Sequence, residues 1–304
     1  MYDVIIIGAG PAGLCAAIYS ARSCLKTLLI EKRGCGGQMA ITDLLENYPG
    51  FSKGINGFEL ALKFEEQART FGTEIIYDEV KSFENGNIKK VFCATSSFET
   101  KTIIIAAGTD MKKLNCPGEE SFIGNGVSFC ATCDAPFYRD KKVLVVGGGD
   151  SALQEAMYLS KFAKETTIIH RRDKFRAAKI LQERLTSHSN ISVIYDAIVK
   201  EITGSEKIEK VAIENVKTGE IKTLSADGVF VFIGMTANTS AFLELNLNDK
   251  GCIITDENMR TSIDGVFAAG DIRKKQLRQV ITACSDGAQA AISAQEFIEE
   301  QLEI

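Results

Sequence analysis

The sequence predicts an α/β protein built from two similar strand–turn–helix–strand units, one inserted into the other. Three observations point there. First, VIIIGAGPAGLCAAIY (4–19) lies over VLVVGGGDSALQEAMY (143–158) at a constant offset of 139. Gly8 then matches Gly147, Gly10 matches Gly149, Gly13 matches Ala152 and Tyr19 matches Tyr158. Second, the match runs without a gap into TLLIEK (27–32) over TTIIHR (166–171). Third, each unit opens on a short continuous apolar run, the mark of a strand buried on both faces of a parallel sheet. The 304 residues suit two domains at roughly 100–200 residues each.

Each unit carries the glycine pattern of a dinucleotide-binding βαβ motif. The first glycine allows the tight turn, the second lets the backbone approach a pyrophosphate, and the third, or its alanine, lets helix and strand pack closely. The helix N-terminus then offers free N–H groups to the phosphates. One such motif is weak evidence; two in register are strong. The units differ where the second strand ends. Unit one ends in Glu31, whose carboxylate suits a ribose diol, as in FAD or NAD. Unit two has His170 there, followed by Arg171, Arg172 and Arg176. A carboxylate would repel a 2′-phosphate, whereas guanidinium groups bind it through charge-assisted hydrogen bonds. The second site therefore suits NADP.

Net charge is −5 and the pI is near 5.4, so no basic field argues for nucleic acid or an anionic membrane. Every apolar run falls short of the ~18 residues of a membrane span. MYDVIIIG enters a strand directly, without the basic flank of a signal peptide. These features lead us to expect a cytoplasmic protein whose thiols are kept reduced.

Nine cysteines are present, and only Cys130 and Cys133, in FCATCDAP (129–136), form a close motif. A zinc site would need a second such pair or two spaced histidines. With no second pair and only His170 and His188, a metal site is not expected. A dithiol that opens and closes is the better reading. The other seven cysteines are expected to be small buried apolar residues.

Along the chain, GGQMAITDLLENYPGF (36–51) reads as a loop and GFELALKFEEQARTFG (57–72) as a helix. TIIIAAGT (102–109) reads as a buried strand, TDMKKLNCPGEES (109–121) as a linker and GVFVFIG (228–234) as another buried strand. GMTANTSAFLEL (234–245) would be the return linker, GVFAAGDIR (265–273) a further strand, and ITACSDGAQAAISAQEFIEE (281–300) a closing helix.

The chain resembles the low-molecular-weight thioredoxin reductases along essentially its whole length. The matching elements are GAGPAG (8–13), GGQ (36–38), ENYPGF (46–51), CATCD (130–134), GGGDSA (147–152), HRRDKFRA (170–177), GVFAAGDIR (265–273) and RQV (278–280). CATCD placed before the second glycine motif is the specific part. One departure is Ala237 in GMTAN (234–238), where the family commonly has proline.

The resemblance implies two Rossmann-like domains: an FAD-binding domain from residues 1–116 and 241–304, and an inserted NADPH-binding domain, 117–240, that carries the dithiol. It implies FAD contacts at Gly8, Gly10, Pro11, Ala12, Gly13, Glu31, Gly37, Gln38, Asn47, Asp271, Arg278, Gln279 and Val280. NADPH contacts would fall at Gly147, Gly149, Asp150, Ser151, Ala152, His170, Arg171, Arg172 and Arg176. It further implies that Cys133 faces the flavin, Cys130 attacks the external disulfide and Asp134 is the acid–base group.

The activity implied is NADPH-dependent reduction of thioredoxin by a homodimer, the inserted domain swinging between half-reactions. Two alternatives stay open: another dithiol partner, such as a peroxiredoxin or glutaredoxin-like protein, and a flavin-bound redox sensor.

Overall fold

The computed structural model describes residues 1–42 and 44–302. In chain order the elements begin β1 (Tyr2–Ile7), α1 (Pro11–Arg22), β2 (Thr27–Glu31), α2 (Gly37–Ala40), α3 (Gly57–Thr70), β3 (Glu74–Tyr77), β4 (Val80–Glu84), β5 (Lys89–Cys93), β6 (Ser97–Ile105) and β7 (Thr109–Met111). Next come α4 (Glu119–Phe122), β8 (Val127–Ser128), α5 (Ala131–Asp134), a 3₁₀ turn (Ala135–Tyr138), β9 (Lys142–Gly147), α6 (Asp150–Leu159), β10 (Glu165–Ile169), α7 (Lys179–Leu185) and β11 (Ile191–Ile194). The rest are β12 (Ala197–Gly204), β13 (Ile208–Asn215), β14 (Ile221–Ser225), β15 (Gly228–Phe232), β16 (Met235–Ala237), β17 (Val266–Ala268), a 3₁₀ turn (Gly270–Ile272) and α8 (Val280–Leu302).

Two compact units result. Unit 1 holds Met1–Asp110 and Thr236–Ile304, and unit 2 holds Met111–Met235; the sequence reading put the joins at 116/117 and 240/241. The stretch 109–121, read as a linker, contains β7 and the start of α4. Buried Glu119 folds this polar run back: its carboxylate accepts from Leu114 N (2.7 Å) and Asn115 N (2.6 Å). β7 and β16 pair with each other in a two-stranded ribbon.

Unit 1 is organised by a seven-stranded sheet in the order β3-β2-β1-β6-β5-β4, with β17 also pairing to β6. β1 runs parallel to both β2 and β6. Val4, Ile5 and Ile6 are fully buried, and each such side chain contributes roughly 1.5–3 kcal/mol relative to an exposed one. Unit 2 repeats the arrangement as β11-β10-β9-β15-β8, beside an antiparallel sheet β12-β13-β14.

The duplication is literal at the level of register. Val4 pairs with Thr27 and Ile7 with Ile30, while Val143 pairs with Thr166 and Val146 with Ile169. All four residues of the first unit map onto the second at the same offset of 139.

The strand expected over 265–273 stops at Ala268. Gly270 takes a left-handed conformation (φ +79°), and its N–H turns to Oδ2 of Asp286 at 3.1 Å. The chain therefore leaves the sheet in a 3₁₀ turn that carries Asp271.

Candidate functional site

Both glycine turns sit where β1 and β9 end, beside the strand at which the sheet order reverses. Ligands of open α/β sheets bind at this switch point. Gly8 (φ +102°) leaves no room for a side chain, since a β-carbon would lie 2.5 Å from the Ala106 carbonyl oxygen. Gly147 is pressed in the same way against the Phe232 carbonyl, 2.4 Å from such a carbon. Gly10 and Gly149 differ: nothing lies within 4 Å of a β-carbon built on either. These two positions keep the approach to each helix N-terminus clear.

Neither N-terminus is capped by a side chain, so the first N–H groups of α1 and α6 keep their capacity for an anion. Gly13 cannot carry a side chain, because its β-carbon would meet the Gly8 carbonyl at 1.8 Å. Ala12 and Ala152 are buried, so their side chains serve packing and any ligand role falls to their N–H groups. Pro11, Asp150 and Ser151 occupy the first turns.

In unit 1, Glu31 and Gly37 meet this loop, while Gln38, Asn47, Gln279 and Arg278 bond to one another or to their neighbours. Glu31 ends β2, and its carboxylate accepts from Ala9 N (2.7 Å) and Arg33 N (2.8 Å). Each carboxylate oxygen retains a second lone pair for a ribose hydroxyl. Gly37 lies against Gly10, 3.3 Å from Cβ position to Cα, and Gln38 donates to the Thr109 carbonyl at 3.2 Å. Asn47 donates to the Gln279 side chain at 2.9 Å, just before Val280 opens α8. Arg278 donates to Cys252 Sγ at 3.4 Å.

Asp271 carries the clearest vacancy in hydrogen bonding. Its Oδ1 is buried with no partner among the described residues, and burial raises its pKa against the opposing pull of Lys275 and Arg278. A buried carboxyl oxygen without a donor is costly, and a hydroxyl-rich ligand would relieve it. The donor set fits FAD.

In unit 2 the residues after β10 divide into two groups. Arg171, Arg172 and Arg176 are exposed, and among the described residues no carboxylate forms an ion pair with any of them. That suits a phosphate. His170, expected among the NADPH contacts, is buried. Its ring stacks on Phe175 (5.5 Å) and meets Tyr195 edge-on (6.4 Å), and Nε2 bonds to the Lys174 carbonyl at 3.0 Å. Burial lowers its pKa, with Arg176 and Arg172 adding to that. His170 is thus a neutral support beneath the turn. Arg176 N donates to the Gly148 carbonyl (2.8 Å), and Asp150 Oδ1 accepts from Ala178 N (2.7 Å). Both contacts tie the basic turn to the glycine loop.

Cys130 and Cys133 are joined in a disulfide, with Cα atoms 5.4 Å apart. Cys130 is the N-cap of α5, its sulfur accepting from Cys133 N at 3.2 Å. Such an N–H favours the thiolate. Cys133 is exposed, whereas Cys130 and Asp134 are half-buried. Asp134 N donates to the Cys130 carbonyl at 3.3 Å. Tyr138 has its pKa raised by burial first and by Asp134 next.

Two anchors of this turn escape sequence reasoning. Glu155 Oε2, on α6, accepts from Ala131 N at 3.1 Å, and Ser128 Oγ accepts from Cys130 N at 3.1 Å. Neither belongs to a motif. Asp286 is likewise outside any motif but belongs to unit 1: on α8 it is buried, pairs with Lys275 (2.7 Å) and Arg273 (3.3 Å), and accepts from Gly270 N. The turn that presents Asp271 is fixed by these contacts.

The remaining cysteines are not uniformly buried. Cys252 and Cys284 are; Cys15, Cys35, Cys93 and Cys116 are intermediate, and Cys24 is exposed. Cys24 takes a left-handed conformation (φ +60°) just after α1, which turns it outward. Among the described residues no helix is long and apolar enough to cross a membrane.

The pyridine nucleotide-disulphide oxidoreductase family matches residues 2–287. The thioredoxin reductase of Bacillus subtilis is 47% identical over 303 residues, covering 99% of this chain and 96% of its own. The solved thioredoxin reductase of Lactococcus lactis, in its FR conformation, superposes with a TM-score of 0.96 at 46% identity, over 99% of this chain and 100% of that one. The thioredoxin reductase of Streptococcus pyogenes is 48% identical over 99% of both chains, with a TM-score of 0.65. The chain belongs to the pyridine nucleotide-disulphide oxidoreductase family, among its thioredoxin reductases.

Proposed function

We infer that this chain is an NADPH-dependent thioredoxin-disulfide reductase that works through FAD and the Cys130–Cys133 disulfide. The observation that carries the reading is the closed Cys130–Cys133 pair, held in a unit that also has a basic-turn dinucleotide site, in a chain with a second dinucleotide motif.

A bound FAD would supply the conversion of an NADPH hydride into an electron pair for a disulfide, which side chains alone do not perform. The chain's own residues do the rest. The uncapped α1 N-terminus with Gly8, Gly10 and Gly13 would receive the FAD pyrophosphate, Glu31 would take the ribose diol, and Asp271 would accept from a further hydroxyl. Arg171, Arg172 and Arg176 hold the 2′-phosphate of NADPH, above a neutral His170.

Once reduced, the Cys130 thiolate attacks the thioredoxin disulfide. An S–S bond forms to one partner sulfur as the other leaves as a thiolate. The Cys133 thiolate then attacks Cys130, closing the internal disulfide and releasing the second partner sulfur. Two electrons have moved to the partner, and Asp134 supplies or takes up protons at these sulfurs. The α5 N–H on the Cys130 sulfur favours its thiolate and so suits the attacking role, leaving Cys133 the flavin-facing one.

The same unit must present nicotinamide and dithiol in turn. We propose that it turns on the crossings at 110/111 and 235/236. Two relatives of nearly equal identity, 46% and 48%, superpose at 0.96 and 0.65. Sequence divergence does not account for that spread, whereas units turning between structures would.

The proposal includes a cytoplasmic homodimer. Phe58 and Leu62, one turn apart on α3, are about half exposed (55% and 50%) and offer an apolar strip for a second copy. Light scattering on the purified protein tests that part. The activity is tested by mixing the purified yellow protein with NADPH and oxidised thioredoxin. Thiol production coupled to NADPH oxidation is the expected result; flavin reduction without any thiol production would favour a sensor instead.

A further inference from the structure

α1 and α8 meet backbone to backbone. A β-carbon on Gly287 would lie 2.1 Å from the Ala12 carbonyl oxygen and 3.0 Å from Ala16 N. This seam brings together Cys15 and Cys284, one from each of the two chain segments that build unit 1. The thiols of Cys15 and Cys284 act on one another, and the Ala288 backbone also acts on Cys15. The Cys284 thiol donates to the Pro11 carbonyl at 3.9 Å, one turn before Cys15 on α1, and Tyr48 neighbours Cys284.

The two thiols are unequal. Cys15 is partly exposed and Cys284 buried. The hydrogen bond with Cys284, aided by the Ala288 backbone, holds the Cys15 pKa below the ordinary thiol value against burial. The same hydrogen bond, and then burial, push Cys284 up. One sulfur is disposed to be the thiolate and the other to wait as a thiol beside it. Cys35 has no such disposition, since burial and Glu65 raise it to about 12, and burial raises Cys93 and Cys116.

We propose that Cys15 and Cys284 form a second redox site, separate from Cys130–Cys133, at which hydrogen peroxide closes a disulfide between α1 and α8. The Cys15 thiolate attacks one peroxide oxygen; an S–O bond forms as the O–O bond breaks, and the other oxygen leaves as hydroxide and becomes water. The Cys284 sulfur then attacks the Cys15 sulfenic sulfur. The S–S bond forms, the S–O bond breaks, and the departing hydroxide takes the Cys284 proton as a second water. Two thiols are oxidised by two electrons, and one peroxide is reduced.

A disulfide needs Cα atoms about 4.4–6.8 Å apart, a span within reach of two helices in backbone contact. Reactivity follows thiolate character and access, and Cys15 has both. Closure links residues 1–110 to residues 236–304 directly beneath the loop that carries Pro11, so the site acts as an oxidation-driven staple of unit 1.

The test uses the full holoprotein, reduced with dithiothreitol, desalted, exposed to a modest excess of hydrogen peroxide, then alkylated and digested without reduction. Mass spectrometry should find the Cys15 and Cys284 peptides linked. Cys284→Ser should strand Cys15 as a sulfenic acid trapped by dimedone, and Cys15→Ser should leave Cys284 alkylated as a free thiol. Circular dichroism and flavin content confirm that each variant folds; if one does not, the wild-type cross-link decides alone. The proposal is overturned if both cysteines are alkylated in wild type once Cys130–Cys133 has fully reclosed, or if dimedone marks Cys284 in the Cys15→Ser variant.

Discussion

A β-carbon placed on Gly148 would lie 2.2 Å from Nδ1 of His170. The glycine loop of unit 2 and the residue that follows β10 are therefore in direct contact. Gly148→Ala should push the ring off its stacking partners and shift the basic turn with it. Overpacking of this kind costs roughly 1–3 kcal/mol. The expected outcome is a lower Tm and a KM for NADPH raised about tenfold, since 1.4 kcal/mol is about a factor of ten, with flavin content unchanged. An unaltered KM in a destabilised protein would show that loop and turn are not coupled.

Cofactor choice should reside in the exposed arginines. NADPH and NADH differ only in the 2′-phosphate, and charge-assisted hydrogen bonds contribute roughly 1.5–3 kcal/mol each, less at an exposed turn. Replacing Arg171 and Arg172 together by Ala should lower kcat/KM for NADPH by about one to two orders of magnitude and leave NADH nearly unaffected. The ratio of the two specificity constants is the measurement, and an unchanged ratio would place phosphate recognition elsewhere.

The orphaned Oδ1 of Asp271 gives an expectation for flavin binding. Asp271→Ala removes an acceptor that only a ligand satisfies, at a loss of roughly 1.5–3 kcal/mol for a charged hydrogen bond. FAD should bind about ten- to a hundredfold more weakly, while the apoprotein keeps its circular dichroism. Full flavin retention would assign the oxygen no ligand.

His170 sets a pH dependence. Its folded pKa lies below the usual 6.5 because burial disfavours the imidazolium. The unfolded chain then binds more protons than the folded one as the medium becomes acidic. Stability is full above the unfolded pKa and is lost as pH falls from about 6.5 through the lower folded value. Chemical denaturation over this range should show the decline in wild type and a flatter profile in His170→Gln. Parallel profiles would mean that other groups dominate.

Much of this fold was written in the sequence as repetition. The offset that aligns Gly8 with Gly147 also aligns the strand registers, because both units solve one packing problem with the same residue sizes. The polar stretch 109–121 was less legible. A buried carboxylate, Glu119, organises it, and nothing in the local composition marks that side chain as buried. The site was legible wherever a backbone requirement imposes a residue type, as at Gly8, and wherever charges cluster, as at Arg171 and Arg172. The burial of His170 was not legible, because Tyr195, which covers it together with Phe175, comes from a later segment of the chain. Asp286, Glu155 and the Cys15–Cys284 contact depend on helices far apart in sequence, and no spacing rule reports such meetings.

The central claim is that Cys130 and Cys133 relay electrons between the bound flavin and the partner disulfide. Its most direct test is to measure two rates in Cys130→Ser and Cys133→Ser: reduction of the flavin by NADPH in stopped flow, and turnover with oxidised thioredoxin. The account predicts that each variant loses thioredoxin reduction while its flavin is still reduced by NADPH at close to the wild-type rate. Near-normal thioredoxin turnover in either variant would contradict it.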